Sequence, residues 1–133
     1  MTRITTYLAA DERPLEQGWT LLVTEAGRYA DPSQVHRPAA RIPAPVPGTV
    51  AQALTQAGLF DPENPQPLHD KDAWYFRSLA GEAPGPAVLR FAGLATMAEV
   101  YVNGELRLSC GSMFAANDVD LLLSGDDEIA ICF

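Results

Sequence analysis

The chain predicts an all-β fold, an antiparallel β-sandwich of jelly-roll type with one short helix. Three observations lead there. The 11 prolines and 10 glycines in 133 residues call for many turns and short strands. An Asn103-Gly104 pair lies between two alternating apolar segments, the strongest short-range hairpin signal a sequence carries. Helix-start chemistry occurs at one place only, and about seven strands can be counted, which suits two packed sheets.

Taken in order, residues 1–18 show no clear period and predict irregular chain or a short edge strand across the sandwich. Trp19 to Val23 reads as the first firm strand, with Trp19, Leu21 and Val23 on one face. Residues 24–47 read as a long connection. Thr49 and Gln52 form a Thr-x-x-Gln capping box, Val50, Ala53, Leu54 and Ala57 make an apolar stripe, and Gly58 offers a left-handed exit. These predict a helix over 50–57 that plugs one end of the sandwich. The Pro-rich run Asp61 to Asp70 is irregular, since each proline lacks a backbone donor.

The next strand, Ala73 to Leu79, sends Trp74, Phe76 and Ser78 one way and Tyr75, Arg77 and Leu79 the other, so both faces are covered. After a turn over 81–86, Ala87 to Phe91 gives another strand. In the hairpin, a two-residue turn would set Val100 opposite Arg107 and mix the faces. A three-residue loop with Gly104 in the left-handed bulge position instead puts Val100, Leu106, Leu108 and Cys110 together. Cys110 to Ala116 reads as a loop, Asn117 to Asp120 as a short strand and Leu121 to Asp126 as a turn. Ile129, Ile131 and Phe133 alternate inward at the end.

Composition narrows the function. With 17 acidic and 9 basic residues the net charge is −8, a field that repels phosphate backbones and anionic membranes, so neither nucleic acid nor membrane is expected as a partner. The first residues hold no sustained apolar run and no segment resembles a membrane span, which leads us to expect a cytoplasmic protein. Cys110 and Cys132 read as free thiols, and two isolated cysteines with two distant histidines, His36 and His69, cannot make a metal site. The close acid pairs, Asp61/Glu63, Asp70/Asp72, Asp118/Asp120 and Asp126 to Glu128, sit in or beside turns and read as solvated carboxylates and Asx turns. No serine has a nucleophile-elbow setting and no Gly-rich phosphate loop is present, so no cofactor is expected.

Several words then appear in order: Val46-Pro47-Gly48-Thr49-Val50, Ala57-Gly58-Leu59, Asp61-Pro62, Asp72-Ala73-Trp74-Tyr75-Phe76-Arg77, Leu89-Arg90-Phe91-Ala92-Gly93-Leu94, Ala98-Glu99-Val100-Tyr101-Val102-Asn103-Gly104-Glu105, Met113-Phe114 and Asp127 to Phe133. In order and spacing, from about residue 19 onward, they resemble the N-terminal sugar-binding domain of glycoside hydrolase family 2. The Met-Phe pair is most similar to the β-mannosidase branch. The resemblance implies a galactose-binding-domain-like jelly roll over residues 1–133, an N-terminal accessory domain of a larger glycosidase that stops before its last strand. It implies retaining enzymes whose acid and nucleophile are glutamates on a following TIM barrel, so no catalytic residue is expected in this chain. The missing barrel is then a partner, and carbohydrate another. Loops of the family domain lean over the barrel rim, which makes Asn64 and His69 candidates for sugar hydroxyls and Trp74 a candidate stacking face, with turn and core roles as the alternatives. Two other readings are a freestanding carbohydrate-binding module and a sandwich that binds protein through an open sheet edge. A strand missing at the end would leave such an edge and favour a homodimer.

Overall fold

A computed structural model describes residues 2–6, 11–30, 32, 41–46, 48–59, 61, 63, 64, 67, 71–91, 94, 97–111 and 117–133. The strands are β1 (Thr2–Thr6), β2 (Asp11–Pro14), β3 (Trp19–Glu25), β4 (Ile42–Pro43), β5 (Lys71–Ser78), β6 (Gly85–Phe91), β7 (Ala98–Val102), β8 (Glu105–Cys110), β9 (Asn117–Leu123) and β10 (Glu128–Cys132), with one helix, α1 (Val50–Gln56). They form two antiparallel sheets, ordered β2-β1-β6-β9 and β4-β3-β5-β10-β7-β8, the predicted jelly-roll sandwich. Between the sheets, period-two alternation buries Ile4 of β1, Leu21 of β3, Tyr75 of β5, Leu89 of β6, Val100 of β7, Val119 of β9 and Ile129 of β10 in one core.

Ten strands stand where about seven were expected. Residues 2–6 are not irregular: β1 is an inner strand, with Thr2 paired to Phe91 on one side and Arg3 to Pro14 on the other. Its buried row is Thr2, Ile4 and Thr6, which hides the alternation because only one of the three is apolar. Likewise β9 runs on to Leu123, past the predicted turn at Leu121. Leu121 and Leu123 point inward and Leu122 outward, an alternation that three consecutive leucines conceal.

α1 is capped as predicted, the Thr49 hydroxyl accepting from the Gln52 amide. Ala53 and Leu54 are its buried residues and Ala53 enters the core. Gly58 leaves the helix at φ 75°.

The hairpin corrects the predicted three-residue loop. Val102 faces Glu105, so the turn has two residues, and both Asn103 (φ 51°) and Gly104 (φ 82°) are left-handed, the pattern of a type I′ turn. The face mismatch is resolved inside the ladder: a bulge shifts the register between Val100 and Tyr101, leaving Arg107 unpaired and bringing Leu108 opposite Val100. Leu106 therefore does not join the core face. It lies across from Tyr101 and is half exposed.

β10 is an interior strand, paired to β5 and to β7, and Phe133 exchanges both backbone hydrogen bonds with Ala73. Among the described residues the sheet edges are β2 and β9 in one sheet and β4 and β8 in the other.

Candidate functional site

Because β5 is covered on both sides, its outward row builds a second, aromatic layer on the far face of the six-stranded sheet. Trp74, Phe76, Tyr101 and Ala130 pack there, with Leu22, Tyr29 and Cys132 around them. Trp74 lies 6.3 Å from Phe76 and 5.9 Å from Tyr101 between ring centroids. The Arg41 guanidinium sits 3.5 Å over the Phe76 ring and pairs with Glu128, so the long connection folds back across this face. The Tyr101 hydroxyl donates to Glu99 and also reaches the Ala30 carbonyl.

Trp74 is consequently 1% exposed, and its ring presents no open face to a ligand arriving from solvent. Its Nε1 is buried without a hydrogen-bond partner among the described residues. Asn64 lies on the surface, in a turn where its amide donates to the Asp61 carbonyl and the Asp61 side chain accepts from the Glu63 amide. His69, Asp70 and the Met113-Phe114 pair lie outside the described residues. The predicted trio is thus seen in part, as one enclosed ring and one exposed amide.

Two acidic residues that sequence reading treated as ordinary turn positions are buried. Asp127 is 3% exposed and receives hydrogen bonds from Asn103 Nδ2 at 2.8 Å, the Ser124 amide at 2.9 Å, the Ser124 hydroxyl at 3.1 Å and the Gly125 amide at 3.2 Å. Burial alone would push its carboxyl up. The bonds from Asn103, Ser124 and Gly125 outweigh it and hold the group below the usual carboxylate range. The other is Glu82, whose side chain is 4% exposed. Its Oε2 accepts from both Nε and Nη2 of Arg13, and Oε1 stands 3.9 Å from Arg77 Nη1. No local pattern announces either residue, since both follow a glycine-containing turn and are enclosed by partners distant in sequence.

These carboxylates hold turns together and do not make a hydrolytic pair. Asp118, bonded by Arg90 across β9 and β6, is also held below its ordinary value, chiefly by that bond. A glycosidic general acid needs the opposite shift. Among the described residues no three His, Cys, Asp or Glu side chains gather as metal ligands.

The sequence matches the pattern of a family described as glycosyl hydrolase 2 galactose-binding domain-like over residues 23–133. No curated protein matches. Among solved structures, the chain is similar to a β-glucuronidase from Faecalibacterium prausnitzii, with 21% identity, TM-score 0.66, and 90% of this chain covering 20% of that one. It is also similar to a β-D-mannosidase from Dictyoglomus thermophilum (20% identity, TM-score 0.60, 90% of this chain and 15% of that one). A third is a GH2 β-galacturonidase from Eisenbergiella tayi (22% identity, TM-score 0.56, 86% and 17%). At these identities the likeness concerns the fold, and the chain spans a fifth or less of each of the three. The family pattern takes in every strand from β4 to β10 and the helix between them: the chain belongs to the glycosyl hydrolase 2 galactose-binding domain-like family.

Proposed function

We propose that this domain is the non-catalytic accessory sandwich of a β-mannosidase-like retaining glycoside hydrolase. The observation that carries the reading is the family pattern over 23–133, joined to the ordered words from Val46 to Phe133 that resemble the mannosidase branch. The lowered carboxyls of Asp118 and Asp127 support a silent role, because neither can hold a proton for a leaving group near neutral pH. In this reading a catalytic barrel is the main partner. Sugar contact falls to the 61–70 loop through Asn64 and His69, while Trp74 anchors the strand that follows. An edge-paired homodimer belongs to the same reading.

The test is direct. The purified chain should not hydrolyse nitrophenyl β-mannoside, β-galactoside or β-glucuronide, whereas a longer parent protein should act on the mannoside and lose that activity when this domain is deleted. Turnover by the chain itself, abolished by a substitution within it, overturns the reading. So do saturable amide shifts with millimolar mannose, which would make the domain a binding module in its own right.

A further inference from the structure

Beside Glu82 the surface opens into a cleft of about 600 Å³, formed where the β2–β3 connection meets the β5–β6 connection. Its charged groups are Arg13, Arg77, Glu82 and, at the exposed rim, Glu16. Burying Glu82 is costly unless cations answer it, and two guanidiniums do. One carboxylate cannot neutralise two arginines, so the floor keeps an excess positive charge inside a chain of net charge −8.

Arg77 is also locked in place. Its Nε donates to the Gln17 carbonyl at 2.9 Å and its Nη1 to the Ser78 carbonyl at 2.7 Å, which fixes the plane of the fork before any ligand arrives. Gly18 and Gly81 line the same cleft. A side chain at Gly81 would meet no atom within 4 Å, so the space above that backbone is open. Gln17, Ser78 and Glu16 add polar groups to the walls.

We propose that this cleft binds a small hydroxylated carboxylate, of up to monosaccharide size, with its carboxylate on the Arg13–Arg77 pair and its hydroxyls toward Glu16, Gln17 and Ser78. The chemistry follows from the donors: a planar guanidinium fork matches a carboxylate in two-pronged fashion, and the acidic rim selects against ligands that carry charge at both ends. This site stands apart from the accessory role above and does not depend on it.

Gluconate, with sorbitol as its neutral counterpart, tests the assignment by amide NMR titration of the whole chain. Gluconate should give saturable shifts at Gly18, Ser78, Gly81 and Glu82, and sorbitol none. Gly81→Leu fills the cleft without touching the arginines and should weaken binding at least about tenfold, equal to about 1.4 kcal/mol, at an unchanged melting temperature. Ala80→Leu, one residue away on the exposed turn, should bind like the parent. Absence of saturable shifts, equal shifts with sorbitol or with acetate, or undiminished binding by a folded Gly81→Leu variant would each overturn the proposal.

Discussion

Asn103 holds a left-handed φ of 51° because its side chain is tied at both ends, Nδ2 donating to Asp127 and Oδ1 accepting from the Glu128 amide. Asn103→Gly removes both bonds and leaves the Asp127 carboxylate short of a partner, but relaxes into the turn. Asn103→Ala removes the same bonds and adds left-handed strain. Urea melts should therefore show a loss of about 2–4 kcal/mol for Ala and about 1–2 kcal/mol less for Gly. Equal losses would mean that the backbone angle contributes nothing. Cys132 permits a second test at this scale. Burial, then the negative charges of Asp72 and Glu99, push its thiol up to about 12, so at pH 8 it is almost wholly protonated. Iodoacetamide followed by mass spectrometry should label Cys132 slowly in the native chain and readily in urea.

At the scale of the element, β1 hangs on one large apolar side chain. Ile4 is 1% exposed, and Ile4→Ala should cost about 2–4 kcal/mol by thermal or urea denaturation. A change under 1 kcal/mol would show that β1 is dispensable to the sheet. The same strand marks where sequence reading stops. Elements with two or more large inward residues were legible: β3 through Trp19 and Leu21, β10 through Ile129 and Ile131, α1 through its cap. β1 was not, since threonine at two of three inward positions carries no hydrophobic period. The hairpin was half legible, because Asn103-Gly104 announces a turn while a bulge in the ladder leaves no mark in composition. Of the candidate site, the two-sided covering of β5 was readable and the enclosure of Trp74 was not: the ring is shut in by Tyr101, a residue 27 positions away on another strand.

For the whole molecule, acid stability follows from Asp127. Its folded pKa is depressed, so its contribution is fully present above the unfolded value of about 3.9 and is lost as pH falls through the folded value. Stability should be level above about pH 5 and decline below about pH 4, and Asp127→Asn should flatten that decline. The edges set association. β9 leaves one side of its backbone without a strand partner, and Arg107 from β8 donates a guanidinium hydrogen bond to the Asp120 carbonyl. Light scattering across a concentration series should find species above 14.3 kDa, and Arg107→Ala, which removes that guard, should strengthen them. A monomer throughout in both proteins would exclude an edge-paired dimer. Finally, the placement of β1 has a consequence in time. Its first residue pairs with Phe91, so during synthesis the strand that emerges earliest must wait for most of the chain before its neighbour exists, and closing that span is an entropic cost met late. The small sheet should thus be the slow step in refolding, with the large sheet, whose β7–β8 turn is local, gaining amide protection first.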